Sequence, residues 1–144
     1  MQLSGAYTFD APAEKVWTAI TDPKTLCACI PGCQSLDSAG DNQYQVSLNI
    51  SMGPINGRDN AAIGMEDITP HLSFRLTVQA NGPMGFANGY ADIKLEEDGG
   101  KTQIVVDADS QVGGAVARVG QRLMGTVAKT TMDRFFNCLQ GQLK

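Results

Sequence analysis

No stretch of this 144-residue sequence approaches the ~20 consecutive apolar residues that cross a bilayer. Its opening residues, Met1-Gln2-Leu3-Ser4-Gly5, carry neither the basic segment nor the apolar core of a secretory signal. Both absences predict a cytoplasmic protein with at most peripheral membrane contact. Basic charge is scarce as well: 11 Lys and Arg stand against 15 Asp and Glu, a formal net charge of −4. With no basic stripe to neutralise phosphates, nucleic acid is excluded as a partner. Docking on anionic lipid lacks its cluster of Lys and Arg. In a reducing compartment the four cysteines are expected to stay free thiols.

What is present fits one domain over residues 1–144, long enough to bury a core without metal or disulfides. Leu3, Tyr7 and Phe9 open an apolar strand ending at Asp10, the expected N-cap of a first helix. Val16, Trp17 and Ile20 recur at helical spacing until Asp22-Pro23 stops the helix. A second short helix, Lys24 to Cys29, ends at Pro31-Gly32. The period then changes to two. Strands are predicted over 43–52, 55–65, 72–80, 86–96 and 102–111, joined by Gly- and Pro-rich turns. Alternation with short turns means an antiparallel sheet with one wet face. After Gly113-Gly114, apolar residues return at steps of three and four from Val116 to Leu143. That spacing predicts a helix of about 27 residues, roughly 40 Å long.

The inward face of these strands carries unusually small residues: Gly57, Ala61, Gly89, Ala91, Ala108 and Ser110. Interiors are normally filled to crystal-like density. Small residues on the sheet, with Gly120 on the long helix, therefore leave a cavity unless the backbones close up. Glycines placed for sheet bends are the alternative. The cavity wall is expected to comprise Met52, Gly57, Ala61, Ile63, Phe74, Leu76, Phe86, Gly89, Ala91, Val116, Gly120 and Leu123.

Other candidate chemistry is thin. Cys27-x-Cys29-x₃-Cys33 lacks the spacing of paired zinc knuckles, so no metal is expected. Asp107 and Asp109 share one strand face, predicted to be solvated. His71, the one imidazole, follows Pro70 in a turn and has no visible catalytic partner. Asp59 points inward if its strand is regular and outward if a bulge intervenes.

Some of these residues also carry a resemblance. Tyr7-Thr8-Phe9-Asp10-Ala11-Pro12, Val16-Trp17, Asp22-Pro23 and Cys29-Ile30-Pro31-Gly32-Cys33 form an N-terminal signature. The Gly82–Gly89 stretch and Asp107-Ala108-Asp109-x-Gln111-Val112-Gly113-Gly114 continue it. Over nearly the whole chain this resembles the CoxG family of carbon monoxide dehydrogenase proteins, within the START and birch-pollen-allergen-like (SRPBCC) superfamily. The resemblance implies an α+β helix-grip: a curved seven-stranded antiparallel sheet wrapped around a long C-terminal helix, with two short helices after the first strand. It implies a non-enzymatic accessory protein of a molybdenum hydroxylase of the carbon monoxide dehydrogenase type. Maturation, membrane association or delivery of a quinone- or lipid-like molecule would be its task, with no cofactor. A cyclase- or hydratase-type enzyme of the same fold, or a co-chaperone-like interaction domain, is the alternative. Some members of the family continue past the long helix into a tail that serves membrane attachment, whereas this sequence stops at Lys144.

Overall fold

The computed structural model describes residues 2–52, 55–82, 85–114 and 121–143, without the side chains of 50–52, 55–56 and 121–124. In chain order these form β1 (Gln2–Phe9), α1 (Ala13–Ile20), α2 (Pro23–Cys29), β2 (Cys33–Gly40), β3 (Gln43–Met52), β4 (Ile55–Thr69), β5 (Ser73–Gly82), β6 (Gly85–Asp98), β7 (Lys101–Gly113) and α3 (Gln121–Gln142). The strands make one antiparallel sheet in the order β1-β7-β6-β5-β4-β3-β2. It is the expected helix-grip architecture: a curved seven-stranded sheet with the long helix against its inner face.

Local chemistry accounts for the helix ends. α1 starts after Pro12 rather than at Asp10, and no side chain caps it. The Pro12 carbonyl instead accepts from the amides of Lys15 (3.0 Å) and Val16 (3.1 Å). A proline there loses no helical hydrogen bond, because the first amides of a helix have no partner within it. α2 does have a side-chain cap. The Asp22 carboxylate accepts from the Lys24 amide at 3.1 Å and from the Thr25 hydroxyl at 3.2 Å, with Pro23 in the first turn.

β2 is the strand that the periodicity does not reveal. Its one large aliphatic residue is Leu36, and register shifts at Cys33/Ser35 and Ser38/Gly40 break the alternation. As an edge strand it has little apolar surface to bury, so its pattern is weak.

The expectation of free thiols is overturned. Cys27 is bonded to Cys33 and Cys29 to Cys138, each pair with Cα atoms 5.4 Å apart. One bridge ties α2 to the start of β2, and the other ties α2 to α3. Residues 27 and 29 share no helix face, so one turn of α2 serves two partners.

The main core lies between α1, α2, the C-terminal half of α3 and one end of the sheet. Phe9, Val16, Ile20, Leu26, Ile104, Phe136 and Leu139 are all buried there. Tyr7 and Phe136 stack at 4.4 Å, and Trp17 meets Phe74 edge-on at 5.4 Å. Phe136 and Leu139 occupy the centre of this core, whereas Trp17 and Phe135 are half-buried.

Candidate functional site

Sheet register, rather than any single strand, defines the site. Pairing lines up inward residues in rows across the strands. Leu95 faces Ile104, which faces Tyr7. The next row runs Phe74, Ile93, Val106. Beyond it come Met65, Leu76, Ala91, Ala108 and Leu3. Then come Ile63, Val78, Gly89 and Ser110, followed by Val46, Ala61, Ala80, Ala87 and Val112. Side-chain volume on β5, β6 and β7 therefore falls steeply along one direction. In the large rows Leu95, Ile104, Phe74, Ile93 and Val106 are buried; in the small ones Val46, Ala61 and Ile63 are buried too, whereas Val78, Ala80, Ala87, Ala91, Ala108, Ser110 and Val112 are half-buried. The inner wall therefore thins at the end of the sheet away from α1, the candidate recess, beside a buried cluster of Val46, Ala61 and Ile63.

The expected wall residues divide among several places. Ala61, Ile63, Leu76 and Ala91 stand on the inner face in or beside the small rows. Phe74 is inward but belongs to the packed core, held by Trp17. Phe86 is a correction. It lies on the outer face, 40% exposed, because β6 is regular and Phe86 has the opposite parity to Gly89 and Ala91. There its ring covers Gly113, where an added Cβ would meet the Phe86 ring.

Gly57 and Gly89 share the inward parity of their strands, and each also answers a backbone demand. Gly57 has φ 145°, which L side chains rarely adopt. A Cβ on Gly89 would lie 2.5 Å from the Asp109 carbonyl and 2.8 Å from the Ser110 Cβ, so strand approach excludes one. Val116 and Gly120, and the side chains of Met52 and Leu123, lie outside the described residues. So do Pro54 and the middle of the Gly82–Gly85 loop.

Val78, Ala80 and Ala87 also line the recess, beyond the expected wall. Their alternation is visible in the sequence, but only cross-strand register shows that they adjoin Ala61, Ala91 and Ala108.

Asp59 is resolved by the same register. β3 and β4 pair without a shift, so no bulge turns it outward. It shares the inward parity of Ala61 and Ile63 and is 8% exposed. Its Oδ1 accepts a hydrogen bond from the Asn60 amide at 2.8 Å.

Elsewhere polar groups hold the scaffold. The Tyr7 hydroxyl donates to Asp133 Oδ1 at 2.6 Å, and Lys129 Nζ donates to the same carboxylate at 2.9 Å. Burial, then the bond to Asp133, raises the Tyr7 hydroxyl above its ordinary value. The Tyr7 bond, then Lys129, holds Asp133 below the usual carboxylate range. These contacts pin α3 to β1. On the outer face a polar groove of about 480 Å³ includes Gln43, Glu66, Arg75, Tyr90 and Gln111. Arg75 there is engaged by Asp92 at 2.7 Å and lies 4.1 Å over the Tyr90 ring. His71 is exposed in its turn, and Asp107 faces outward, as the sequence predicted.

Comparison with known proteins decides the family. The profile of CoxG, a carbon monoxide dehydrogenase subunit, matches residues 5–144. The chain belongs to the CoxG family. A conserved protein from Geobacillus kaustophilus is similar, at 33% identity and TM-score 0.97, over 99% of this chain and 95% of that one. A START superfamily protein from Mycobacterium smegmatis matches at 13% identity and TM-score 0.76, over 99% and 96% of the chains. The ZhuI aromatase/cyclase from Streptomyces sp. R1128 matches at 13% identity and TM-score 0.73, over 99% and 93%. Among curated proteins none matches. The chain thus has the helix-grip fold that its motifs implied. Among the described residues no helix is long and apolar enough to cross a membrane.

Proposed function

We propose that this CoxG chain is a non-enzymatic carrier that holds one apolar, quinone- or lipid-like molecule and serves a molybdenum hydroxylase of the carbon monoxide dehydrogenase type. One observation carries the reading: small inward residues adjoin across β4 to β7, with Ala61, Ala80 and Ala87 paired in one row and Gly89 with Ser110 and Ala91 with Ala108 in the next two. A packed core would close such rows, since an empty apolar void costs about 24 cal/mol per Å³. A recess that is instead half-exposed to solvent gains by taking up an apolar ligand, at about 0.8 kcal/mol per buried methylene. Membership of the CoxG family supports the choice of partner enzyme. The cyclase reading needs several polar groups converging on substrate. Here the polar groups on the recess wall, Asp59 and Ser110, stand on strands separated by two others.

Native mass spectrometry of protein purified from its own host tests the carrier reading. A noncovalent adduct removable by organic extraction is expected. Protein of bare polypeptide mass that also fails to take up long-chain apolar compounds contradicts it.

A further inference from the structure

Asp59 is a carboxylate set into an apolar wall, and among the described residues its one side-chain hydrogen bond is local. The hydrogen bond it accepts comes from the amide of its own neighbour, Asn60. Among the described residues the ion pairs are Arg75–Asp92 and Lys129–Asp133, and neither reaches it. Arg58, which precedes it in sequence, is exposed on the opposite face of β4. Burying an ionised carboxylate without a charge partner is costly, so one that is retained needs another role.

The surroundings are cut to fit it. Asp59 follows Ala61 along the inner face, at the edge of the small-residue rows. On the neighbouring strand stands Gly82, where an added Cβ would lie 2.7 Å from the Asp59 Cγ. The glycine gives the carboxylate room to lie flat against β5, in line with Ala80. One oxygen takes the Asn60 amide, which leaves acceptor capacity on the group.

We infer that Asp59 is the polar anchor of the recess, and that the ligand is an apolar molecule whose head bears a hydroxyl donor: an alcohol, phenol or hydroquinone rather than a ketone, ester or quinone. This rests on the carrier reading and sharpens it. A carboxylate offers acceptors only, so it bonds a hydroxyl and repels a carbonyl oxygen. The recess then selects by head group, while the alkyl body supplies affinity. For a molecule that exists in hydroxyl and carbonyl forms, the protein takes the hydroxyl form.

The test uses the full chain at neutral pH, with calorimetric titration of decan-1-ol against decyl methyl ether. The two probes differ in the donor. Wild type is expected to bind the alcohol about tenfold more tightly, as for a hydrogen bond to a charged group. In Asp59→Leu that preference disappears and ether affinity is kept. The variant should melt at the same or a higher temperature, because a structural carboxylate would lower it on removal. If Asp59→Leu does not fold, Asp59→Asn, which keeps the shape, should bind the alcohol several-fold more weakly with the ether unchanged. Equal affinity of wild type for the two probes overturns the anchor and leaves the recess standing. An Asp59→Asn protein that keeps the full preference also overturns it. Failure of wild type to bind either probe removes the anchor together with the carrier reading.

Discussion

The inner face of the sheet has two ends built by the same strands. At one end Phe74, Ile93, Leu95, Ile104 and Val106 lie under α1 and the C-terminal half of α3, and all are buried. At the other, Ala80, Ala87, Ala91 and Ala108 occupy equivalent inward positions and stay half-buried. Hydrogen bonding, strand twist and parity are shared, so the difference lies in side-chain volume and in what packs opposite. The first end is the main core. The second keeps a smaller buried cluster of Val46, Ala61 and Ile63 on β3 and β4 and thinner packing on β5 to β7. On the carrier reading proposed above, stability and binding are divided along the length of the strands.

The largest expected effect lies at the packed end. Phe136→Ala removes a ring that touches Tyr7, Phe9 and Phe135, and should cost about 3–5 kcal/mol in chemical denaturation. Phe135→Ala, at a half-buried position, should cost clearly less; the reverse ranking would put the helix in the wrong register. The bridge between Cys29 and Cys138 spans 109 residues, and Cys138→Ser should cost roughly 2–5 kcal/mol. Disulfides persist in oxidising surroundings, so the redox state of the four cysteines bears on the cytoplasmic location expected from the missing signal segment. Alkylation of the protein from its own host under non-reducing conditions should find no free thiol. Four alkylated cysteines would show that the bridges do not form there.

At the open end the pattern reverses. Ala91→Phe should leave stability within about 1.5 kcal/mol of wild type while affinity for a decyl-chain probe falls about tenfold. Cooperative unfolding of Ala91→Phe under native conditions would mean that the recess is closed packing. Gly89→Phe is expected to unfold the sheet, because the Asp109 carbonyl blocks the position.

The smallest effect is electrostatic and lies outside both ends. Asp133 is held low by Tyr7 and Lys129, so its contribution is full above the ordinary carboxylate range. It is lost as pH falls through the lowered folded value. Asp133→Asn should therefore flatten the acid limb of the melting-temperature profile slightly; an unchanged limb would show that the contact adds nothing.

Much of the fold is legible in residues. The period-two runs mark five strands of the sheet after β1, and the return to helical spacing marks α3, because half-buried strands and an amphipathic helix write their periods openly. β2 is hidden by its two register shifts and its single large aliphatic residue. Phe86 is apolar, yet the parity of its own strand sends it outward, so apolar character alone misplaces it. The recess is legible only in part. Small residues can be counted on each strand, but pairing decides that Ala80, Ala87, Ala91 and Ala108 adjoin. The disulfides escape a reading that starts from compartment, whereas proximity of α2 to Cys138 is a tertiary fact.

Methyl-resolved NMR of alanine, valine, leucine and isoleucine during titration with decan-1-ol tests most directly whether the open end binds an apolar molecule. Saturable shifts are predicted at Ala80, Ala87, Ala91 and Val78, with Ile104 and Leu139 unmoved. Shifts confined to Ile104 and Leu139, or no saturable shift at any of these methyls, would contradict a binding wall at that end.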